Sequence, residues 1–321
     1  MKKRVISLIL AAVVLLTAGL AACTKEDTTT KNTADYAVIL KTLSSDFWVS
    51  MKKGIEEKAK ELNITVDIFA AQSEDDTEGQ LKILENCVSK GYKAIGVAPI
   101  SPTNLVNGIV DANKKGIYVM NIDEKIDMDT LKNAGGSVIG FATTDNVSVG
   151  KKGAEFIMNK LTEGGDVAII EGKAGNASGE ARKQGATEQF KSDAKFNLVA
   201  SQPADWDRQK ALDTAASMIQ KNPNLKAIYC CNDTMALGAL QAVKNANKLG
   251  EIIVVGTDGA AEALESVKAG ELSATVAQDS AGIGAISLEQ MVKAVEKGDK
   301  IDPASTPETI PVDSYVVKQE A

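Results

Sequence analysis

The chain has 321 residues, of which 44% are hydrophobic and 25% charged, and its formal net charge is −7. At about 150 residues per domain this length predicts two domains, and the composition excludes a disordered tail, a collagen-like fibre and a disulfide-dense miniprotein. The negative charge argues against nucleic-acid binding, because neutralising phosphates requires an excess of Lys and Arg. There is no histidine, which excludes Ser-His and Cys-His nucleophile pairs and His-ligated zinc. Most routes to enzymatic chemistry are therefore closed, and we expect no cofactor and no metal ion.

The first 23 residues have the pattern of an export signal. Three basic residues at 2–4 precede an uncharged apolar segment over 5–20, which is too short and too close to the N-terminus to predict a membrane span. The run Leu-Ala-Ala-Cys that ends at Cys23 resembles the cleavage box of bacterial lipoproteins, in which the cysteine carries the lipid. We predict a signal peptide over 1–22, lipid attachment at Cys23 and an extracytoplasmic protein anchored to a membrane. An ordinary signal with a chance cysteine is the alternative.

The segment that follows Cys23 is polar and has no apolar periodicity. Residues 23–35 are therefore predicted to be the lipidated cysteine and a flexible tether, with a reach of about 20 Å for twelve residues. Cleavage before Cys23 would remove three positive charges and leave a net charge of −10.

Three cysteines remain in the rest of the chain, at Cys87, Cys230 and Cys231. An odd number does not make a disulfide framework. We expect all three to be small apolar core residues, with a redox or metal-binding role as the alternative.

Short apolar runs alternate with helical patterns from residue 36 onward. The first part of this pattern predicts strands at 36–40, 65–69, 94–98 and 117–122 and helices at 47–62, 77–90 and 104–115. Such alternation is typical of right-handed βαβ units that build a parallel sheet.

The pattern then repeats. The tripeptide Lys-Ala-Ile at 93–95 recurs at 226–228, 133 residues later, and the run 116–123 has a counterpart at 250–258. Asp123 and Asp258, 135 residues apart, each close a predicted strand. Two matches at nearly one offset predict two α/β domains of the same architecture.

The domain boundaries follow from where each set of strands is complete. We predict one domain from 36–143 plus 280–306 and a second from 144–279 plus 307–321. The chain would cross between them within 141–146, 275–279 and 301–311, and three crossings would make a hinge.

Polar and aromatic residues follow the predicted strands, and ligands of open α/β sheets bind beyond the carboxyl ends of the strands. Aromatic planes suit the C–H faces of a pyranose, whereas charged and amide side chains suit its hydroxyls. We therefore predict a sugar site. Its candidate residues are Lys41, Phe47, Trp48, Asp123, Arg182, Trp206, Asn232, Asp258 and Gln278, with Asn176 as a weaker candidate.

Several of these candidates have an ordinary structural interpretation. Trp48 could belong to the core, Lys41 could be a solvated charge at a strand end, and Arg182 could pair with a glutamate on a helix surface. Asp123 and Asp258 could form turns, in which Asp is favoured.

One helix start is ambiguous. Either Asn232 or Asp233 could cap the helix predicted over 234–245. We assign the cap to Asp233 and the ligand site to Asn232.

Seven segments carry a family resemblance: LKTLS at 40–44, FWV at 47–49, NIDEKIDMD at 121–129, IEGKAGNASGEAR at 170–182, VASQPADWDR at 199–208, CNDTMA at 231–236 and VAQ at 276–278. With these segments the chain resembles the periplasmic sugar-binding proteins of ABC transporters, in the ribose-binding branch, and within it the members that bind D-allose. The resemblance covers essentially the whole chain after the signal. It departs at the N-terminus, where this chain has a lipoprotein box in place of a plain periplasmic signal.

The resemblance implies two doubly wound, Rossmann-like domains on a three-segment hinge, the type I periplasmic binding protein fold, that close on one monosaccharide. It implies stacking by Phe47 and Trp48 from one side and Trp206 from the other. The remaining candidates (Lys41, Asp123, Arg182, Asn232, Asp258 and Gln278) would hydrogen-bond to the hydroxyls. The protein would be a monomer that delivers its sugar to the permease of an ABC importer.

The resemblance also bears on the ligand. In the ribose-binding proteins themselves, phenylalanines occupy the positions of Trp48 and Trp206. The larger rings favour a six-carbon aldose such as D-allose, with ribose or another aldose as the alternative.

Other functions stay open. A receptor that feeds chemotaxis or signalling fits the same features. A sugar-responsive transcription regulator would need a helix-turn-helix, where residues 1–35 provide a signal and a tether. An enzyme could use Asp123 and Asp258 as acid and base, but it would lack a nucleophile loop.

Overall fold

The computed structural model describes residues 34–319, which contain twelve strands and ten helices. The strands are β1 (Tyr36–Leu40), β2 (Val66–Ala70), β3 (Ala94–Val97), β4 (Tyr118–Ile122), β5 (Gly140–Thr144), β6 (Gly165–Glu171), β7 (Phe196–Pro203), β8 (Leu225–Cys230), β9 (Ile253–Asp258), β10 (Ala274–Gln278), β11 (Glu308–Val312) and β12 (Ser314–Lys318). The helices are α1 (Asp46–Glu61), α2 (Thr77–Lys90), α3 (Val106–Lys114), α4 (Met128–Asn133), α5 (Asn146–Lys160), α6 (Ala177–Lys191), α7 (Arg208–Lys221), α8 (Asp233–Asn245), α9 (Ala261–Lys268) and α10 (Ser280–Lys297).

The predicted signal peptide over 1–22, the predicted lipid site Cys23 and most of the predicted tether lie outside the described residues. The last two residues of the predicted tether belong to the folded part. Ala34 is buried, and the carboxylate of Asp35 accepts a hydrogen bond of 2.8 Å from Lys93.

The strands form two six-stranded sheets with the same order. The first sheet is β11-β5-β4-β3-β1-β2 and the second is β12-β10-β9-β8-β6-β7. All described pairs are parallel except β10 with β12. In each sheet the first two strands along the chain lie in reverse order beside the third, which is the topological switch of a doubly wound fold. The predicted fold class, two doubly wound α/β domains, is confirmed, and we call them the first and second lobes.

The parallel strands are buried and the helices cover them. Every residue of β1 is buried, as expected for a strand covered on both faces. Helix α1 buries the stripe Trp48, Met51, Ile55 and Ala59 and packs on α10. A stripe at three- and four-residue spacing is what places one helix face against the core.

The chain crosses between the lobes three times. Asp145 joins β5 to α5, and Asp279 joins β10 to α10, within two of the predicted crossing ranges. The third crossing was predicted within 301–311, which is wrong: it lies at Asp313, between β11 and β12. The strand β11 still belongs to the first sheet, because it pairs in parallel with β5. The range 307–321, assigned from sequence to the second domain, is therefore divided between the two lobes.

The described cysteines are buried thiols without disulfide bonds. Cys87 is 1% exposed, and Cys230 and Cys231 are fully buried. Burial raises the pKa of Cys87 to about 11 and that of Cys231 to about 12. Thiols of this kind behave as small core residues, in agreement with the prediction.

Across residues 34–319, none of the helices combines the length and the hydropathy that crossing a membrane requires.

Candidate functional site

A cavity lies where the carboxyl ends of the strands of the two lobes face each other. It brings together nine of the ten predicted site residues. The residues that line it are Lys41, Ser45, Phe47, Trp48, Glu74, Asp123, Asn176, Ser178, Arg182, Trp206, Asn232 and Asp258. The tenth predicted residue, Gln278, donates a hydrogen bond of 2.6 Å to Oδ1 of Asp258.

Aromatic rings reach the cavity from both lobes. Phe47 and Trp48 lie in the first turn of α1 in the first lobe, with their ring centroids 5.0 Å apart and their planes nearly perpendicular. Trp206 comes from the loop after β7 in the second lobe, and its own backbone has φ 65°. Non-glycine residues rarely adopt this conformation, so the surrounding structure must hold the loop in place. Trp48 is both a core residue and a cavity residue, since it is only 3% exposed.

Arg182 is held in a fixed orientation within the second lobe. It projects from α6, and its Nε donates to Oδ1 of Asn146 at 2.8 Å. Its Nη1 donates to the carbonyl of Cys231 at 2.7 Å and lies 3.4 Å from Oδ1 of Asp258. The guanidinium carbon lies 5.9 Å from the ring centroid of Trp206. The predicted alternative, pairing with a glutamate on the helix surface, is wrong, since Arg182 is only 5% exposed.

Lys41 follows β1 and is likewise buried, at 2% exposure. Its ammonium donates to Oε2 of Glu124 at 3.0 Å and lies 4.0 Å from Oε2 of Glu74. Burial lowers the pKa of Lys41, but the negative charges of Glu124, Glu74 and Asp123 outweigh it and leave the pKa above its ordinary value. Lys41 is therefore a cation in the cavity wall and not a solvated strand-end charge.

Asp123 presents an unpaired acceptor to the cavity. It is 4% exposed, and its Oδ1 has no hydrogen-bond partner among residues 34–319. Burial raises its pKa to about 7, although Lys41 and Arg182 act in the opposite direction. Its φ of 59° lies in the left-handed region. In a residue other than glycine this conformation costs about 1–3 kcal/mol and persists only where the surrounding structure holds it, as at many functional sites.

Asp258 occupies the matching position in the second lobe. Burial raises its pKa to about 6, opposed by Arg182 and by the hydrogen bond from Gln278. Its φ of 120° is also unfavourable for a residue with a side chain. The two repeats thus place one strained, buried carboxylate each at the cavity.

The helix cap in the second lobe differs from the prediction. Asn232 is the cap of α8, because its Oδ1 accepts from the backbone N–H of Met235 at 2.8 Å. Asp233, the predicted cap, instead accepts from Ala260 N–H at 2.8 Å and from the hydroxyl of Thr275 at 2.7 Å. Asn232 nonetheless lines the cavity, so capping and lining are compatible roles.

Asn176, the weaker candidate, also combines these two roles. Its Oδ1 caps α6 by accepting from Gly179 N–H at 3.1 Å, and it lines the cavity with 5% exposure.

A family model described as a periplasmic binding protein domain matches residues 36–300. The chain belongs to the periplasmic binding protein family. Its predicted resemblance to this family is confirmed.

Named relatives of this periplasmic binding protein are sugar-binding proteins. The D-allose-binding periplasmic protein of Escherichia coli is 60% identical over 287 residues, which are 89% of this chain and 92% of the relative. The ribose import binding protein of Bacillus subtilis is 36% identical over 248 residues, 77% of each chain.

Solved structures of solute-binding proteins have the same fold as this chain. A periplasmic solute-binding protein of an ABC transporter from Actinobacillus succinogenes, with bound D-allose, has a TM-score of 0.83 at 33% identity. The match covers 88% of this chain and 97% of that one. A solute-binding protein from Bacillus halodurans with bound myo-inositol has a TM-score of 0.78 at 26% identity, over 88% and 93% of the chains.

Sequence reasoning missed four residues that line or support the cavity. Ser45, Glu74 and Ser178 line it, and Glu124 lies behind Lys41. Two of them carried a usable signal: Ser178 falls within the helix start after Asn176, and Ser45 immediately precedes Phe47. Glu74 lies in the loop between β2 and α2, a strand end at which no candidate was named.

Proposed function

We propose that this chain captures a D-allose-like aldose by closing its two lobes around the sugar. The observation that carries the proposal is the cavity itself, because it gathers three aromatic rings with buried cations and carboxylates from both lobes. A monosaccharide has apolar faces that rings can cover and hydroxyls that both donate and accept hydrogen bonds. The unpartnered Oδ1 of Asp123 is an acceptor suited to a sugar hydroxyl.

The relatives support the choice of sugar. The 60% identity to a D-allose-binding protein spans the cavity residues of both lobes, and a structural neighbour holds D-allose. Phe47, Trp48 and Trp206 would stack on the sugar. Lys41, Asp123, Asn176, Arg182, Asn232, Asp258 and Gln278 would bind or orient its hydroxyls. Ribose is the second candidate, because relatives at 33–36% identity are ribose import binding proteins.

The same comparison supports a role in transport. A structural relative is a solute-binding protein of an ABC transporter, so the closed protein would deliver its sugar to the permease of an ABC importer. We place the chain outside the cytoplasm as a monomeric lipoprotein, held at the membrane by a lipid on Cys23. It binds its ligand without turning it over.

Intrinsic fluorescence tests the sugar assignment directly. The chain has two tryptophans, and both line the cavity, so a bound sugar must change their environment. The protein is titrated with D-allose, ribose, glucose, galactose and xylose, and affinities are confirmed by calorimetry. Micromolar binding of D-allose, with weaker binding of the others, is the expected result. A preference for ribose would overturn the choice of sugar, and no response to any sugar would overturn the proposed function.

Membrane anchoring is tested separately in cells. Metabolic labelling with a radioactive fatty acid should label the wild-type protein and not the Cys23→Ala variant. The variant should also leave the membrane fraction. Equal membrane association of both proteins would refute the lipid anchor.

A further inference from the structure

Glu124 is a completely buried carboxylate that faces the cavity lysine. It belongs to the first lobe, directly after Asp123, and its side chain has no exposed surface. Its Oε2 accepts from the ammonium of Lys41 at 3.0 Å. A buried charge of this kind is costly unless it is paired and hydrogen-bonded, so its remaining partners decide whether its position is stable.

Those remaining partners belong to the second lobe. The backbone N–H of Ser178 donates to Oε1 of Glu124 at 3.2 Å. The hydroxyl of Ser178 lies 3.0 Å from Oε2 of Glu124 and 2.7 Å from Oδ1 of Asn176, so its one proton is shared between these two acceptors. Ser178 is the second residue of α6, the 15-residue helix capped by Asn176. A carboxylate is favoured there, because the first N–H groups of a helix have no partner within it and its N-terminus carries a partial positive charge.

The same helix carries Arg182 one turn further on, and Arg182 lines the cavity. Glu124 therefore connects a cavity cation of the first lobe, Lys41, with the helix that holds a cavity cation of the second. Separating the lobes would leave the Lys41 contact in place and remove both Ser178 contacts.

We propose that Glu124 is a positioning residue that couples the sugar contacts of Lys41 to lobe closure through Ser178. This inference rests on the proposed function. When the lobes close, the N-terminus of α6 completes the hydrogen bonds of the Glu124 carboxylate. That carboxylate then fixes the ammonium of Lys41 toward the sugar, so the closed, bound state is longer-lived.

A second contact across the lobes differs in kind. Lys173 of the second lobe donates to the carbonyl of Glu74 at 3.0 Å and pairs with Asp75. Asp75 is 83% exposed, and exposed pairs contribute little because water and salt screen them. The buried contact at Ser178 should therefore control the lifetime of the closed state.

The test measures D-allose dissociation by stopped-flow tryptophan fluorescence in the wild type, Glu124→Gln and Ser178→Ala. Glu124→Gln keeps the shape and removes the charge, and we expect dissociation at least about tenfold faster, as for loss of charge-assisted hydrogen bonds. Ser178→Ala removes the hydroxyl that Glu124 shares with Asn176 and keeps the backbone contact, so we expect dissociation about threefold faster. Ser192→Ala is the matched control, because this exposed serine at the other end of α6 bonds only to the Gln189 carbonyl.

Small-angle scattering measures lobe closure directly, and a local packing defect without an effect on closure would leave the radius of gyration unchanged. At saturating D-allose, the wild type and Ser192→Ala should show one compact radius of gyration, and Glu124→Gln should retain an expanded fraction. Wild-type dissociation rates in a folded Ser178→Ala protein would overturn the inference, whether or not Glu124→Gln folds. Absence of D-allose binding by the wild type would instead refute the proposed function on which the inference rests.

Discussion

The ring of Trp206 lies directly against Gly172, at a point where a side chain on that residue would overlap ring atom Cη2. Gly172 follows β6, and Trp206 follows the neighbouring strand β7. A Cβ on Gly179 would also come within 3.0 Å of the same ring. The indole therefore packs on two glycines of the second lobe, and this packing determines how far the ring extends into the cavity.

We predict that Gly172→Ala weakens sugar binding at least about tenfold, equivalent to ~1.4 kcal/mol. The added methyl group must displace the Trp206 ring, whereas the fold should survive because the ring borders the cavity. Calorimetric titration with D-allose measures the effect. The control is Gly140→Ala in the first lobe, where a Cβ would meet its nearest neighbour, Met120, at an ordinary 3.4 Å. Equal D-allose affinity of the two variants would contradict the claim that packing on Gly172 positions Trp206 for sugar binding.

Arg182→Lys should lower both sugar affinity and stability. A lysine keeps the charge, but it cannot reproduce the three contacts that the guanidinium makes to Asn146, Cys231 and Asp258. We expect a loss of about 3 kcal/mol or more in the free energy of unfolding, as for two lost charge-assisted hydrogen bonds. Denaturant unfolding followed by circular dichroism measures it.

The control for this substitution is Arg208→Lys. Arg208 is 47% exposed and pairs with an exposed Glu262, so its replacement should change stability by less than about 1 kcal/mol. Similar losses of unfolding free energy in both variants would show that the buried contacts of Arg182 stabilise the protein no more than the exposed pair of Arg208 does.

Sequence patterns predicted helix and strand bounds correctly where capping residues and the apolar pattern indicate the same ends. The helix predicted over 77–90 is observed as Thr77–Lys90, because Asp76 caps its start and Gly91 ends it in the left-handed conformation. The strand at 36–40 is an uninterrupted apolar run and was also placed at its observed bounds. The third crossing was misplaced because it was inferred only from elements that continue after the second sheet should be complete, and the strand at 308–312 was not predicted. Pro311 obscures this strand in the sequence, but it lies within β11, an edge strand, where a missing N–H is tolerated.

The strand-end rule found most of the cavity, since both sheets converge there. It could not find the role of Glu124. In sequence this glutamate stands between Asp123 and Lys125 and resembles part of a solvated turn. Only the folded chain brings it to Lys41, 83 positions away, and to Ser178, 54 positions away. Partners at such separations leave no local pattern to detect.

The buried thiols should be inert in the folded protein. In a Cys23→Ala background, Cys87, Cys230 and Cys231 are the only cysteines, and all are buried with pKa values raised by desolvation. A thiol-specific chromogenic reagent at pH 8 should therefore report no thiol in the native protein and three after denaturation in guanidinium. Rapid reaction of a thiol in the native state would contradict their burial.

Sugar binding should strengthen as the pH rises from 5.5 to 8. With the lobes closed and before any sugar contact is made, burial raises the pKa of Asp123 to about 7 and that of Asp258 to about 6. Sugar hydroxyls that donate to these carboxylates favour the charged form and lower both pKa values. Relative to the closed lobes without sugar, the sugar-bound protein then releases protons between about pH 6 and 7, and each group contributes at most about a tenfold loss of affinity per pH unit below its pKa.

Calorimetry in two buffers of different ionisation enthalpy counts the protons released at pH 6.5. The Asp123→Asn variant should bind more weakly at every pH and lose the part of the dependence near pH 7, while the part near pH 6 that belongs to Asp258 persists. Proton uptake on binding would show that the carboxyls bind the sugar in their protonated form, as donors. In that case affinity would fall as the pH rises, because the raised pKa values would be raised further by the ligand.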